Sequence, residues 1–284
     1  MMQFFIFLLE VSICLILFYL LFQILFKNDT FYILKRYYLM GSLFVSLLIP
    51  QLPTLDWSRE IKSTIISEES GLPGSIPYTD TFETLVFGKI PDSLKETTGS
   101  NTFFPYSFLF LIVYVAGAGM MLFRFLRNLL QLKNLIRKNK HTPFGNYVLI
   151  SVPDQYASFS FFKYIFVNEG NMDNREKSIV LLHEEIHIKQ NHSLDILIAE
   201  IFKILFWFNP VIWLYKRSLI VVHECIADNL IVSRQTGTIS EYQELLLKQY
   251  LSNINVELAH SFNYSLIKLR IKMMSKKKSK WWVK

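Results

Sequence analysis

Residues 4–26, FFIFLLEVSICLILFYLLFQILF, form one apolar run with a single charged side chain, Glu10, and residues 103–123, FFPYSFLFLIVYVAGAGMMLF, carry no charge at all. Wound as helices, runs of this length cross a hydrocarbon core of about 30 Å. They dictate two transmembrane helices before any other feature is considered. Residues 37–52, YYLMGSLFVSLLIPQL, are shorter but uncharged and supply a third span. The stretch 196–222 is apolar yet interrupted by Glu200, Lys203, Asn209-Pro210 and Lys216-Arg217, which suits a buried or interfacial helix pair. Composition agrees, because 51% hydrophobic residues with 25 Phe is too apolar for an ordinary soluble domain of this length.

No basic segment precedes the first run and no small-residue cleavage site follows it, so residues 4–26 are read as a retained span. Lysine and arginine set the expected orientation. Lys27, Lys35 and Arg36 lie between the first two spans, and Arg124, Arg127, Lys133, Arg137, Lys138 and Lys140 follow the third. The 53–102 loop holds eight acidic residues against four basic ones. This places the N-terminus outside, the 53–102 loop outside and residues 124–284 in the cytoplasm. Cys14 and Cys225 imply no disulfide framework.

The external loop, with GLPGSIP and KETTGSNT, has little periodicity and reads as an irregular connection. After the third span, Leu129, Leu132, Leu135 and Ile136 share one stripe of an otherwise basic helix. That pattern suits either an anionic membrane surface or a helix simply leaving the bilayer. Residues 147–168, YVLISVPDQYASFSFFKYIFVN, are rich in β-formers with breaks at Pro153-Asp154 and Glu169-Gly170, predicting two or three short strands in a small antiparallel sheet.

Chemistry enters at LLHEEIHIKQNH, residues 181–192. On a helix, His183 and His187 project from one face and can close on a single metal ion, with Glu184 placed to act as general base. A catalytic zinc site needs a third protein ligand and an open position. Glu224 in VVHECIADNLIVS, residues 221–233, can supply the third ligand. Asp228, one turn further on, can accept a hydrogen bond from the distal nitrogen of a liganding histidine and fix its tautomer.

This pairing of H-E-x-x-H with E-x-x-A-D resembles the gluzincin class of zinc proteases. With three spans ahead of it, the strand-like ASFSFF and the linker FWFNPVIWLYKRSLIVVHECIAD, the chain is similar to the BlaR/MecR family of membrane metallopeptidases. The resemblance covers almost the whole chain and is strongest from about 157 to 232. It implies His183, His187 and Glu224 as zinc ligands, Glu184 as the catalytic glutamate and Asp228 as the acid behind the ligands. The expected fold is an α+β membrane protein. Three N-terminal transmembrane helices would precede a mainly helical, gluzincin-like metalloprotease domain with a small antiparallel sheet.

The implied activity is Zn2+-dependent peptide hydrolysis in regulated proteolysis or signal transduction at a bacterial-type inner membrane. A protein or peptide is the substrate, with a transcriptional repressor the kind of target the resemblance implies. Two other readings share these residues: a Ste24- or HtpX-like quality-control protease, and a non-catalytic signalling scaffold. Members of the family commonly continue into a fourth span and an external sensor domain, whereas this chain stops at Lys284, so sensing is not inferred. SFFK at 160 and SLIK at 265 match S-x-x-K by spacing alone and carry no inference of β-lactam binding.

The stretch SFSFF, 158–162, serves either as an edge strand that pairs with an extended substrate or as an ordinary core strand. His223 points about 100° away from Glu224 on a helix, which favours packing over ligation. His192 falls near a helix end, and His141 and His260 have no partners in sequence. Glu185 points away from the ligand face. Glu10, within a span, pairs with another span or sits protonated. Eight basic residues from 268 onward, with Trp281 and Trp282, suit a cytoplasmic lipid surface, and no nucleic-acid-reading module accompanies them.

Overall fold

The computed structural model describes residues 2–26, 29–52, 106–153, 157–168, 172–234, 238–252 and 260–276. The 53–102 loop, expected outside, and the tryptophan-bearing end of the chain lie outside the described residues.

Helix α1 spans Met2–Phe26, α2 spans Tyr32–Leu48 and continues as a 3-10 turn at Ile49–Gln51, and α3 spans Tyr106–Lys138. These are three helices long and apolar enough to cross a membrane. The third does not end near residue 123. It runs unbroken through the basic stripe to Lys138, because no glycine or proline interrupts residues 120–138.

Four strands follow: β1 (His141–Phe144), β2 (Tyr147–Val152), β3 (Phe159–Phe161) and β4 (Tyr164–Asn168). The order is β1-β2-β4-β3, and β2 pairs with β4 in parallel while the other two pairs are antiparallel. The sheet is therefore mixed, which corrects the antiparallel expectation. The chain leaves β2 and passes to the outside before turning back, so β4 lands between β2 and β3 and runs in the same direction as β2. The β3–β4 turn holds Phe162 at φ 49°, without the Asn-Gly signal that marks such turns in sequence. Gly145, at φ 58°, makes the β1–β2 turn in the usual way. Leu132, Leu135 and Ile136 of α3 pack under the sheet against Ile150, Val152 and Phe166.

Five more helices complete the described chain: α4 (Asn174–Lys189), α5 (His192–Leu205), α6 (Pro210–Ser233), α7 (Ile239–Ser252) and α8 (His260–Met274). Helix α4 begins with a capping box, in which the Asp173 carboxylate accepts from the Glu176 amide at 2.6 Å and the Glu176 side chain accepts from the Asp173 amide at 3.2 Å. Helix α6 starts with Asn209 as its cap and Pro210 in its first turn. The apolar stretch 196–222 thus divides at Phe206–Asn209 into the end of α5 and the start of α6.

The largest core joins the N-terminal helices to these two. Leu15, Tyr19 and Phe22 of α1 and Leu39 and Leu43 of α2 pack with Phe202 of α5 and Tyr215, Leu219 and Val222 of α6. Polar bonds fix the register, with Tyr19 Oη 3.0 Å from Ser218 Oγ and Ser42 Oγ 3.0 Å from Tyr215 Oη. Outward, α1 and α3 present exposed Leu, Ile, Val and Phe along their lengths, and the apolar surface continues onto Ile201, Leu205, Trp213 and Leu214. Helix α3 meets this body through Tyr114, whose hydroxyl donates to the Leu205 carbonyl at 3.1 Å, and through Trp207. Its indole N–H donates to the Tyr114 carbonyl at 3.3 Å, and its ring lies where a Cβ at Gly117 would collide with it.

Candidate metal centre

One turn apart on α4, His183 and His187 turn their Nε2 atoms toward each other at 3.0 Å. Glu224 of α6 approaches from the facing helix, its Oε2 3.4 Å from His183 Nε2 and its Oε1 3.6 Å from His187 Nε2. The three side chains can each offer one donor atom within 4.8 Å of the others. Two imidazole nitrogens and a carboxylate form a donor set suited to zinc. Donors about 2.1 Å from a tetrahedral ion stand about 3.4 Å apart. Spacings of 3.0, 3.4 and 3.6 Å bracket that value, so these residues fit the ion that the resemblance implies.

Glu184, 7% exposed, lies beside this set. Burial holds its carboxyl above the ordinary carboxylate range, more strongly than the nearby His183 and a hydrogen bond donated by Ser160 of β3 pull it down. Glu185 turns away and bridges to Lys189 at 2.5 Å.

Asp228 Oδ1 stands 3.8 Å from His183 Nδ1, too far for the direct hydrogen bond expected, and Tyr242 of α7 lies between them. Its hydroxyl lies 3.0 Å from His183 Nδ1 and donates to Asp228 Oδ1 at 2.7 Å. Arg270 of α8 then grips both acids. Its Nε and Nη2 donate to Asp228 at 2.8 and 2.7 Å, and its Nη1 reaches Glu224 Oε2 at 2.8 Å. Burial acts to raise the Glu224 carboxyl, but Arg270 and the two histidines outweigh it and leave it far below the carboxylate range. Glu224 is thus held ionised.

Behind His187, His192 Nδ1 lies 2.6 Å from His187 Nδ1, and the His192 ring stacks on His223 with centroids 3.9 Å apart. Burial, helped by His223 and His187, drives His192 down to about 2, so it serves as a neutral acceptor. A metal held by His187 Nε2 would leave the proton on Nδ1, aimed at that acceptor. His223 is buried and donates from Nε2 to Asp195 at 2.8 Å, in keeping with packing rather than ligation.

The sequence pattern gives Tyr242, Arg270 and Asp195 no role at the site and reads His192 only as lying near a helix end. Arg270 sits in the basic stretch assigned to the lipid surface, yet it is only 8% exposed. A usable signal existed, since two acids one turn apart on an apolar helix require a cation from elsewhere in the chain.

The centre opens into a cavity of about 610 Å³. Its walls include Phe159 and Phe161 of β3, Ile179 and Val180 of α4, and Leu245 and Leu246 of α7. Beta-3 is an edge strand of the sheet and passes along α4 at the mouth of this space.

Residues 161–274 match the family described as BlaR1 peptidase M56. The chain is 31% identical over 135 residues to the regulatory protein BlaR1 of Staphylococcus aureus, covering 45% of this chain and 21% of the relative. It is 28% identical over 111 residues to the methicillin resistance mecR1 proteins of Staphylococcus aureus and Staphylococcus epidermidis, covering 37% of this chain and 19% of theirs. The chain spans about a fifth of the length of these curated relatives. Over residues 161–274 the matches bear out the BlaR/MecR-type resemblance carried by the motifs, and the three long apolar helices lie outside the family match.

Proposed function

We propose that this BlaR/MecR-type chain is a membrane-embedded, zinc-dependent endopeptidase of gluzincin type that acts in regulated proteolysis. The observation that supports it most is the meeting of His183, His187 and Glu224 on the wall of a cavity of about 610 Å³, with Glu184 alongside. On this reading the two histidines and Glu224 hold Zn2+, which when bound polarises the scissile carbonyl and acidifies the attacking water. Glu184 takes a proton from that water and passes it to the leaving amide nitrogen. The β3 edge offers main-chain groups to an extended peptide, and the apolar walls receive its side chains.

The substrate is a cytoplasmic regulator, of which a transcriptional repressor is the type. The residues from 124 onward face the cytoplasm, the N-terminus faces outward, and anionic lipid meets the basic stripe of α3 and the C-terminal lysines. Zinc content and cleavage of candidate cytoplasmic proteins, measured on the full chain in nanodiscs, test the reading. Glu184→Gln should retain zinc and lose cleavage by a factor of about 10²–10⁴. Retained cleavage overturns the mechanism, and bound zinc with no cleavage by the wild type favours a scaffold.

A further inference from the structure

The support behind His187 begins on the second of the apolar helices. Arg36 of α2 donates from Nε to Asp195 Oδ2 at 2.6 Å, and the same oxygen accepts from His223 Nε2 at 2.8 Å. The Arg36 guanidinium also donates from Nη2 to the Gln190 carbonyl at 2.6 Å and from Nη1 to Gln190 Oε1 at 3.3 Å. Gln190 closes the C-terminal end of α4, where outward-facing carbonyls and the helix dipole favour a cation. One side chain of α2 therefore fastens the end of the ligand-bearing helix α4, the first turn of α5 and, through His223, the middle of α6.

These bonds determine how His187 can stand. Its Nδ1 faces His192 Nδ1, and the plane of the His192 ring is set by its stack on His223, 3.9 Å away and inclined by 8°. His223 is held in turn by Asp195, whose side chain is 9% exposed and whose Oδ2 is shared between His223 and Arg36. A ring ligand free to turn about its own side-chain bonds loses the direction of its lone pair, and groups behind such ligands commonly carry 10- to 100-fold in metal affinity.

We propose that Arg36 and Asp195 are positioning residues for the metal centre, fixing the His192–His223 stack against which ligand His187 is oriented. The placement of α2 then sets the affinity for zinc. This rests on the metal-site reading above and concerns its regulation rather than its chemistry.

The test uses the full chain in nanodiscs, with zinc affinity read by competition against a chromogenic chelator and geometry read from the visible spectrum of the Co2+-loaded protein. Asp195→Asn should weaken zinc binding on the order of tenfold and shift the Co2+ bands. Arg36→Gln should act in the same direction, and the double variant should be little worse than Asp195→Asn alone, because both act along one path. Glu200→Gln breaks a part-buried ion cluster on the same helix α5, away from the histidines, and should leave affinity and spectrum unchanged. If Asp195→Asn yields no folded protein, Arg36→Lys carries the test, since it keeps the charge and loses the fork that reaches both Asp195 and Gln190. Affinity and spectrum within twofold of wild type in the folded variant would overturn the inference while leaving the protease reading intact. Weakened binding in a chain that cleaves nothing would support the inference and count against the protease. A wild-type chain that takes up no zinc would overturn both.

Discussion

His183 and His187 sit one turn apart on α4, yet the groups behind their rings differ in kind, and only the His187 side reaches back to the N-terminal helices. Behind His183 stand Tyr242, Asp228 and Arg270, from α7, α6 and α8. Behind His187 stand His192 and His223, with the nearest fixed charges, Asp195 and Arg36, further back on α5 and α2. The first arrangement is a closed set of charges, in which one guanidinium serves two carboxylates. The second passes through neutral rings before reaching an ion pair. A closed buried set holds geometry firmly and fails badly when a member is lost, because the remaining charge is stranded. A ring stack depends on position, so it transmits displacement.

That contrast can be broken experimentally, beginning with the largest effect. Arg270→Met strands Glu224 and Asp228 and should cost about 3–5 kcal/mol in chemical denaturation of the full chain, with loss of zinc. A cost below about 1 kcal/mol would mean that the charge set is not what holds the His183 side. Tyr242→Phe removes only the hydroxyl between His183 and Asp228. Arg270 still satisfies both Asp228 oxygens, so zinc affinity should fall about tenfold while stability drops by about 1 kcal/mol. His192→Phe preserves the stack and removes the acceptor facing His187. Zinc titration should show a loss on the order of tenfold, no smaller than that of Asp195→Asn and without the stability cost of Tyr242→Phe, and a smaller loss would mean that the support of His187 does not run through His192. Smallest of all, Arg175→Ala removes an exposed ion pair to Glu241 between α4 and α7, and should change stability by at most about 1 kcal/mol without altering zinc binding.

The same contrast marks what the sequence discloses. His183 and His187 are legible because helical periodicity places residues four apart on one face, and the structure puts them there. Glu224 and Asp228 are legible because a second motif repeats that spacing. Tyr242 meets His183 from 59 residues away along the chain and Arg270 meets Asp228 from 42 residues away, where no local periodicity connects the partners. Arg270 was masked further by its neighbours, since an arginine among lysines looks like a lipid-facing charge. Arg36 was counted toward topology for the same reason, although its side chain turns inward to Asp195. The three apolar helices follow from length and hydropathy. The mixed sheet does not, because strand order depends on which side of β2 the returning chain takes, and Phe162 gives no turn signal.

The shared core has a practical consequence for handling the protein. Tyr19, Phe22, Leu39 and Leu43 pack on the helix that carries His223 and Glu224, so excising residues 124–284 as a water-soluble fragment would strip one wall from that core. Such a fragment would expose Tyr215, Leu219 and Val222 and aggregate. Because α1 and α2 are long and apolar enough to cross a membrane, detergent and bilayer thickness become conditions to control as carefully as metal concentration.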